Sequence, residues 1–337
     1  MLINEKKYSS YALVKEMLET GSVVQSLNIS QIQTLAKKVT AKRILLTGEG
    51  SSRIFPAKNA IYSALKNGYQ QVFFTEAATQ ALEYPLSDTA TFVASNSGKT
   101  AEGVRLIHHL KKQNHSQIFG VIANDNTPIQ TESNDHYLLT CGKEDAVAAT
   151  KSVIEQALFY DILFRTQNNQ PLPDLAELGD KITEVLETTI PEEVIAPLVE
   201  AQMLYFAGRN TGVAEELTLK TNEITRKKSD FLEGTYAVHG IEEVMSANEA
   251  VILVSPFAHE ADKFSDVLIK GVGLPIVAIS SEKTAFPTYQ IPDCGDFTTY
   301  LELAAGWNLL VEIGIRTNID LDKPERARKV GNEYING

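Results

Sequence analysis

The chain has 337 residues, 43% of them hydrophobic, enough for two compact domains that each bury their own core. Its 31 Lys and Arg against 43 Asp and Glu leave a net charge of −12, which argues against a broad nucleic-acid-binding face. An anionic ligand would then depend on local donors: backbone N–H groups, hydroxyls and helix N-termini. The N-terminus mixes charges with apolar residues at helical spacing, and no apolar run reaches membrane-spanning length. Cys141 and Cys294 match no metal or redox spacing. The expectation is a cytoplasmic protein with two buried thiols and no membrane association.

After a helical lead, the segments 42–50, 71–77, 89–98, 117–125 and 136–140 are apolar runs that read as strands. Between them, 55–68 and 100–113 carry apolar residues at three-and-four spacing, as helices do. This alternation predicts a parallel sheet covered on both faces. A helix over 147–167 closes this half, and the Asn- and Pro-containing stretch 168–175 reads as a linker. The theme then repeats, with strands at 203–210, 249–257 and 275–282 and helices at 214–228 and 260–273. Both halves open alike: a strand ending at Thr47 runs into Gly48-Glu49-Gly50-Ser51-Ser52, and one ending at Phe206 runs into Ala207-Gly208-Arg209-Asn210-Thr211. A long helix at 299–318 holds Trp307, which reads as a core residue, and a polar tail follows. The fold class is α/β: two tandem doubly wound parallel-sheet domains over 1–170 and 171–320, with a C-terminal tail over 321–337.

Ligands of open parallel sheets bind where strand C-termini feed helix N-termini. Two such loops are rich in hydroxyls: one with Ser51 and Ser52, the other with Ser95, Asn96, Ser97 and Thr100. Phosphate suits them, because glycines admit the backbone while N–H and hydroxyl groups donate to the phosphate oxygens. The alternative is that these residues merely cap the next helices. Neither loop is a nucleotide motif: Arg53 replaces the third glycine of a dinucleotide fingerprint, and Val93 the first glycine of a P-loop. Further along, Glu216, Lys220 and Glu223 share one helical face, which by spacing alone is a solvated ion-pair stripe. His239 precedes Gly240 and reads equally as the end of a segment. None of the six histidines has a convincing metal spacing.

Taken in order, these residues resemble the sugar isomerase (SIS) domain family, in the double-domain form found in the isomerase half of glucosamine-6-phosphate synthase. The resemblance rests on the turn Gly50–Ser52, the loop Ser95–Thr100, and Glu144 with Val147-Ala148-Ala149-Thr150-Lys151. It extends to Glu223 with His239 sixteen residues on, and to Asp322-Lys323-Pro324 followed by Lys329. What it implies is a flavodoxin-like SIS fold and a sugar phosphate held by Ser51, Ser52, Ser95, Ser97, Thr100 and Val147. Asn96 stands where the synthase has glutamine. Glu223 is then the base moving a proton between C1 and C2, His239 the ring-opening acid/base, and Lys329 the tail lysine at the carbonyl, with Glu144, Glu216 and Lys220 supporting. The resemblance also implies a homodimer whose site forms between subunits, and chemistry that needs no metal or organic cofactor. His239-Gly240-Ile241 departs from the family's H-G-P, and because the resemblance starts near Met1, the expectation is an isomerase portion without a glutaminase part. The activity so implied is a glucosamine-6-phosphate deaminase/isomerase. A fructosamine-6-phosphate deglycase and a non-catalytic sugar-phosphate sensor are the alternatives.

Overall fold

The computed structural model describes Met1, residues 4–326, Glu333 and Tyr334. Ten strands are found among these residues: β1 (Arg43–Gly48), β2 (Val72–Ala77), β3 (Thr89–Ser95), β4 (Ile118–Ile122), β5 (Asp135–Leu138), β6 (Met203–Gly208), β7 (Lys228–Glu233), β8 (Ala250–Val254), β9 (Ile276–Ser280) and β10 (Thr288–Gln290). They form two five-stranded sheets, ordered β2-β1-β3-β4-β5 and β10-β9-β8-β6-β7, in which every pairing is parallel. Read from the β7 edge, the second sheet repeats the order of the first. In each, the first strand in chain order has the second on one side and the third on the other. The strand order therefore reverses between β1 and β3, and again between β6 and β8, which is where ligands of such sheets bind.

The chain divides into two units, each holding one sheet. The first comprises Ser22–Asp145 and Ala149–Gly179 with Glu333 and Tyr334; the second comprises Met1–Gly21, Ala146–Ala148 and residues 180–326. In the first unit, β3 and β4 are buried at every position, as strands covered on both faces must be. The helix Lys151–Gln167 is buried almost all round and carries Phe159, Tyr160 and Phe164 onto the sheet. Phe92 of β3 stacks on Phe119 of β4 at 4.9 Å between ring centroids. In the second unit, the helix Thr298–Arg316 plays the equivalent part, with Trp307 fully buried. It packs against the helix Val213–Thr225 so closely that a Cβ on Gly306 would lie 2.3 Å from the side chain of Leu217.

Several expected elements differ. The helix expected to run to residue 228 ends at Thr225, where Arg226 takes a left-handed conformation, and the polar run Lys228–Glu233 turns back as edge strand β7. Three-residue β10 has too little apolar periodicity to be seen in sequence. The helix expected from 147 begins only at Lys151, because the Thr150 N–H is drawn to Glu144. Helices at Leu175–Glu187 and Glu192–Glu200, not anticipated, precede β6. Cys141 is buried as expected, whereas Cys294 is only half-buried. No helix among the described residues is long and apolar enough to cross a membrane.

Candidate functional site

The loop after β3 draws three hydroxyls together. The Ser95 and Thr100 hydroxyls lie 2.8 Å apart, and the Ser97 hydroxyl lies 3.4 Å from that of Ser95. Two backbone N–H groups fix the turn: Gly98 donates to Ser95 Oγ at 3.1 Å and Lys99 to Ser97 Oγ at 3.2 Å. Gly98 sits in the left-handed region at φ +68°, and a Cβ there would meet Thr127 Oγ1 at 2.2 Å, so the turn accepts only glycine. Ser95 is 3% exposed and occupied within the loop, while Asn96, Ser97 and Thr100 are half-buried at its rim. Thr100 is the N-cap residue of the helix Ala101–Lys112, yet its side chain makes no cap hydrogen bond. The capping explanation therefore fails at this residue, because the Thr100 hydroxyl is turned toward Ser95 instead of the helix.

Behind the loop stands Glu144, fully buried and satisfied by several donors. Its Oε1 accepts from the Thr150 N–H at 2.7 Å and the Thr150 hydroxyl at 3.1 Å. Its Oε2 accepts from the Ser152 hydroxyl and from Asn96 Nδ2 at 3.1 Å. A buried carboxylate survives by such donors, and here it ties the loop after β3 to the start of the helix Lys151–Gln167. The side-chain amide of Asn96 is thereby committed to Glu144, and its backbone carbonyl accepts from Asn124 Nδ2 at 2.8 Å. The turn after β1 is a single 3-10 turn, Gly50–Ser52, leading into the helix Ile54–Lys66, which has no side-chain cap. Ser51 is buried in that turn and Ser52 half-buried. Beside them, burial pushes the Glu49 carboxyl above its usual range, against the opposing hydrogen bond it accepts from the Ala78 N–H at 3.1 Å. Val147 lies in Ala146–Ala148, the tripeptide that groups with the second unit, where the Ala146 N–H donates to the carboxylate of Glu16.

In the second unit, the face carrying Glu216, Lys220 and Glu223 is an ion-pair cluster but not a solvated one. Lys220 and Glu216 are wholly buried, and 23% of the Glu223 side chain is exposed. Lys220 Nζ lies 2.8 Å from Glu223 Oε2 and 3.5 Å from Glu216 Oε1. The expectation of a surface stripe is corrected: the helix Thr298–Arg316 packs against this helix and helps shut water from it. One carboxylate thus stays in reach of a ligand while a buried cation stands beside it. His239 is exposed, at the end of the 3-10 turn Tyr236–Val238, and its Nε2 lies 3.0 Å from Lys263 Nζ. Lys329 lies outside the described residues.

A second polar group went unread in the sequence. Ser255, at the end of β8, holds a left-handed φ of +48° and hydrogen-bonds the carboxyl of Glu302, which is buried on the helix Thr298–Arg316. Burial pushes Glu302 up to about 7, opposed by that hydrogen bond and by the charge of Arg209. The Arg209 guanidinium lies over the Phe257 ring at 4.3 Å. The available signal was register. β1 pairs Gly48 with Ala94, and β6 pairs Ala207 with Leu253, so Ser255, just past β8, stands level with Ser95, the last residue of β3.

Residues 39–165 match the model of the SIS domain. No curated protein matches the chain in sequence. Among solved structures, the C-terminal domain of glucosamine-fructose-6-phosphate aminotransferase from Francisella tularensis superposes with a TM-score of 0.75 at 18% identity, over 95% of this chain and 100% of that one. Glucosamine-6-phosphate deaminase from Thermotoga maritima gives 0.74 at 17% identity, over 96% of this chain and 99% of that one. Tagatose-6-phosphate ketose/aldose isomerase from Escherichia coli gives 0.77 at 15% identity, over 95% and 97%. These likenesses are of fold, and they span both sheets. The segment 39–165, which carries the whole first sheet and the hydroxyl loop, is thus the part of this chain that matches the SIS domain.

Proposed function

We propose that this chain is a phosphosugar isomerase/deaminase built from two SIS-type modules, converting glucosamine 6-phosphate to fructose 6-phosphate and ammonia. The observation that carries the reading is the hydroxyl cluster of Ser95, Ser97 and Thr100, gathered on a glycine turn and not spent on capping. Such a cluster at a strand-order reversal suits the phosphoryl group, with Ser51 and Ser52 supplying hydroxyls from the neighbouring turn. The fold neighbours named for hexosamine and ketose 6-phosphate chemistry support the same substrate class.

In this reading Glu223, the exposed member of its cluster, takes the C2 proton of the open-chain amino sugar and returns it at C1. The carbonyl oxygen becomes the C1 hydroxyl and the amine becomes a C2 imine, which water hydrolyses to the ketone and ammonia. One carboxylate serves both carbons because they are bonded neighbours. Lys220 holds that carboxylate in place through its ion pair at 2.8 Å. His239, entering from a second copy in a homodimer, opens the sugar ring, and Lys329 meets the carbonyl. The test is to incubate the purified protein with glucosamine 6-phosphate, fructosamine 6-phosphate and ketose 6-phosphates, measuring ammonia and fructose 6-phosphate. Ammonia from glucosamine 6-phosphate alone is expected. Release from fructosamine 6-phosphate alone replaces the reading with the deglycase, and no turnover of any of them leaves the sensor.

A further inference from the structure

Glu333 and Tyr334 lie against the loop after β3. Tyr334 donates its backbone N–H to the Lys99 carbonyl at 2.8 Å, and Glu333 pairs with Thr100 in an isolated antiparallel bridge. The Tyr334 ring stands edge-on to the imidazole of His108, with centroids 5.6 Å apart. It also packs on the apolar cluster that includes Val93, Val104 and Ile107. The residues so gripped belong to the hydroxyl cluster: Thr100 carries one hydroxyl, and the Lys99 N–H holds that of Ser97.

We propose that Tyr334 is a positioning residue for the phosphate loop, its docked ring and backbone holding Lys99 and Thr100 so that the Ser97 and Thr100 hydroxyls converge before ligand arrives. This rests on reading that loop as the phosphate site. On the loop's own side, Ile129 donates its N–H to the Gly98 carbonyl. Lys99 is exposed, and its carbonyl accepts from the tail. Binding to a loop that must first be ordered is weaker by the cost of that ordering. The ring is the anchor through its edge-on contact and apolar packing, so Phe should replace Tyr and Ala should not.

The experiment uses the full chain and inorganic phosphate as the probe, with affinity measured by calorimetry and amide exchange followed across 96–101. Tyr334→Ala is expected to weaken phosphate about 5- to 30-fold, the cost of re-ordering roughly one residue of backbone. It should also speed exchange at Lys99 and Thr100 while leaving the melting temperature within a few degrees of wild type. Tyr334→Phe is expected to match wild type in both measurements. Unchanged affinity and exchange in Tyr334→Ala overturns the proposal, as does Tyr334→Phe behaving like Tyr334→Ala, which would transfer the role to the hydroxyl. A different result sinks the phosphate reading itself: Ser97→Ala/Thr100→Ala binding phosphate as tightly as wild type. In that event the exchange rates in Tyr334→Ala still decide whether the tail orders the loop.

Discussion

The first and third strands of both sheets end side by side in the same strand order, yet the two endings are chemically opposite. Gly48 and Gly208, last residues of β1 and β6, each lie so near the neighbouring strand that a Cβ would meet its carbonyl oxygen, at 2.8 Å from Ala94 and 2.1 Å from Val254. A serine follows on each neighbour. After Ser95 come Asn96, Ser97 and Thr100, and the loop keeps half-buried hydroxyls at its rim. After Ser255 come Pro256, Phe257 and Ala258, and the polar groups turn inward: Ser255 onto Glu302, and Arg209 over the Phe257 ring. In the proposed reading, one backbone architecture carries a ligand cradle in one unit and an inward-turned plug in the other. The second unit keeps its accessible polar chemistry on the helix Val213–Thr225 instead.

The largest expected effect tests that last division. Glu223→Gln should lower kcat by ~10²- to 10⁴-fold, the usual contribution of a general base, with inorganic phosphate binding unchanged. The variant should fold, since Lys220 keeps Glu216 at 3.5 Å. Turnover within a few-fold of wild type would reduce Glu223 to a structural ion pair and leave the helix without a chemical role.

Next in size is the contrast between the loops themselves. Ser97→Ala with Thr100→Ala should weaken inorganic phosphate by about 10²-fold, because each hydrogen bond to a charged group is worth ~1.5–3 kcal/mol. Ser255→Ala should leave phosphate binding untouched and cost only ~1 kcal/mol of stability through its lost hydrogen bond. Equal losses of affinity in both variants would abolish the distinction between cradle and plug.

A last effect, on stability alone, sharpens the description of the plug. The folded pKa of Glu302, pushed up to about 7, exceeds its ordinary 4.5, so the neutral carboxyl is the form suited to the core. The stabilisation from that neutral form is complete below pH 4.5 and lost as pH rises through about 7, by an amount on the order of 3 kcal/mol. Urea unfolding of wild type and Glu302→Gln at pH 5 and pH 8 measures it. Glu302→Gln should lose less stability than wild type across that window, and identical losses would place the ionised carboxylate comfortably beside Arg209.

Much of the first unit was legible because its central strands hold apolar runs and the helices Ile54–Lys66 and Ala101–Lys112 are amphipathic, so periodicity separates them. The hydroxyl loop was legible too, since serine, threonine and glycine after a buried strand have few uses. Strand β7 was not: Lys228, Ser229, Asp230 and Glu233 give an edge strand the composition of a helix end, and the left-handed Arg226 that divides them has no glycine to announce it. The second unit's plug escaped notice because Ser255 and Glu302 are 47 residues apart in the chain and meet only through packing.

By itself the sequence determined which residues share a face. Helical and strand periods are local, so Glu216, Lys220 and Glu223 had to align, and the hydroxyls of Ser95, Ser97 and Thr100 had to fall in one short loop. Tertiary structure alone decided how much water each group sees and which distant partner completes it. It buried Lys220 under a neighbouring helix, drew Asn96 onto Glu144, pressed Arg209 onto Phe257, and brought Tyr334 back to Lys99. Solvent exclusion and long-range pairing depend on what packs over a residue, and adjacency in the chain carries no record of that.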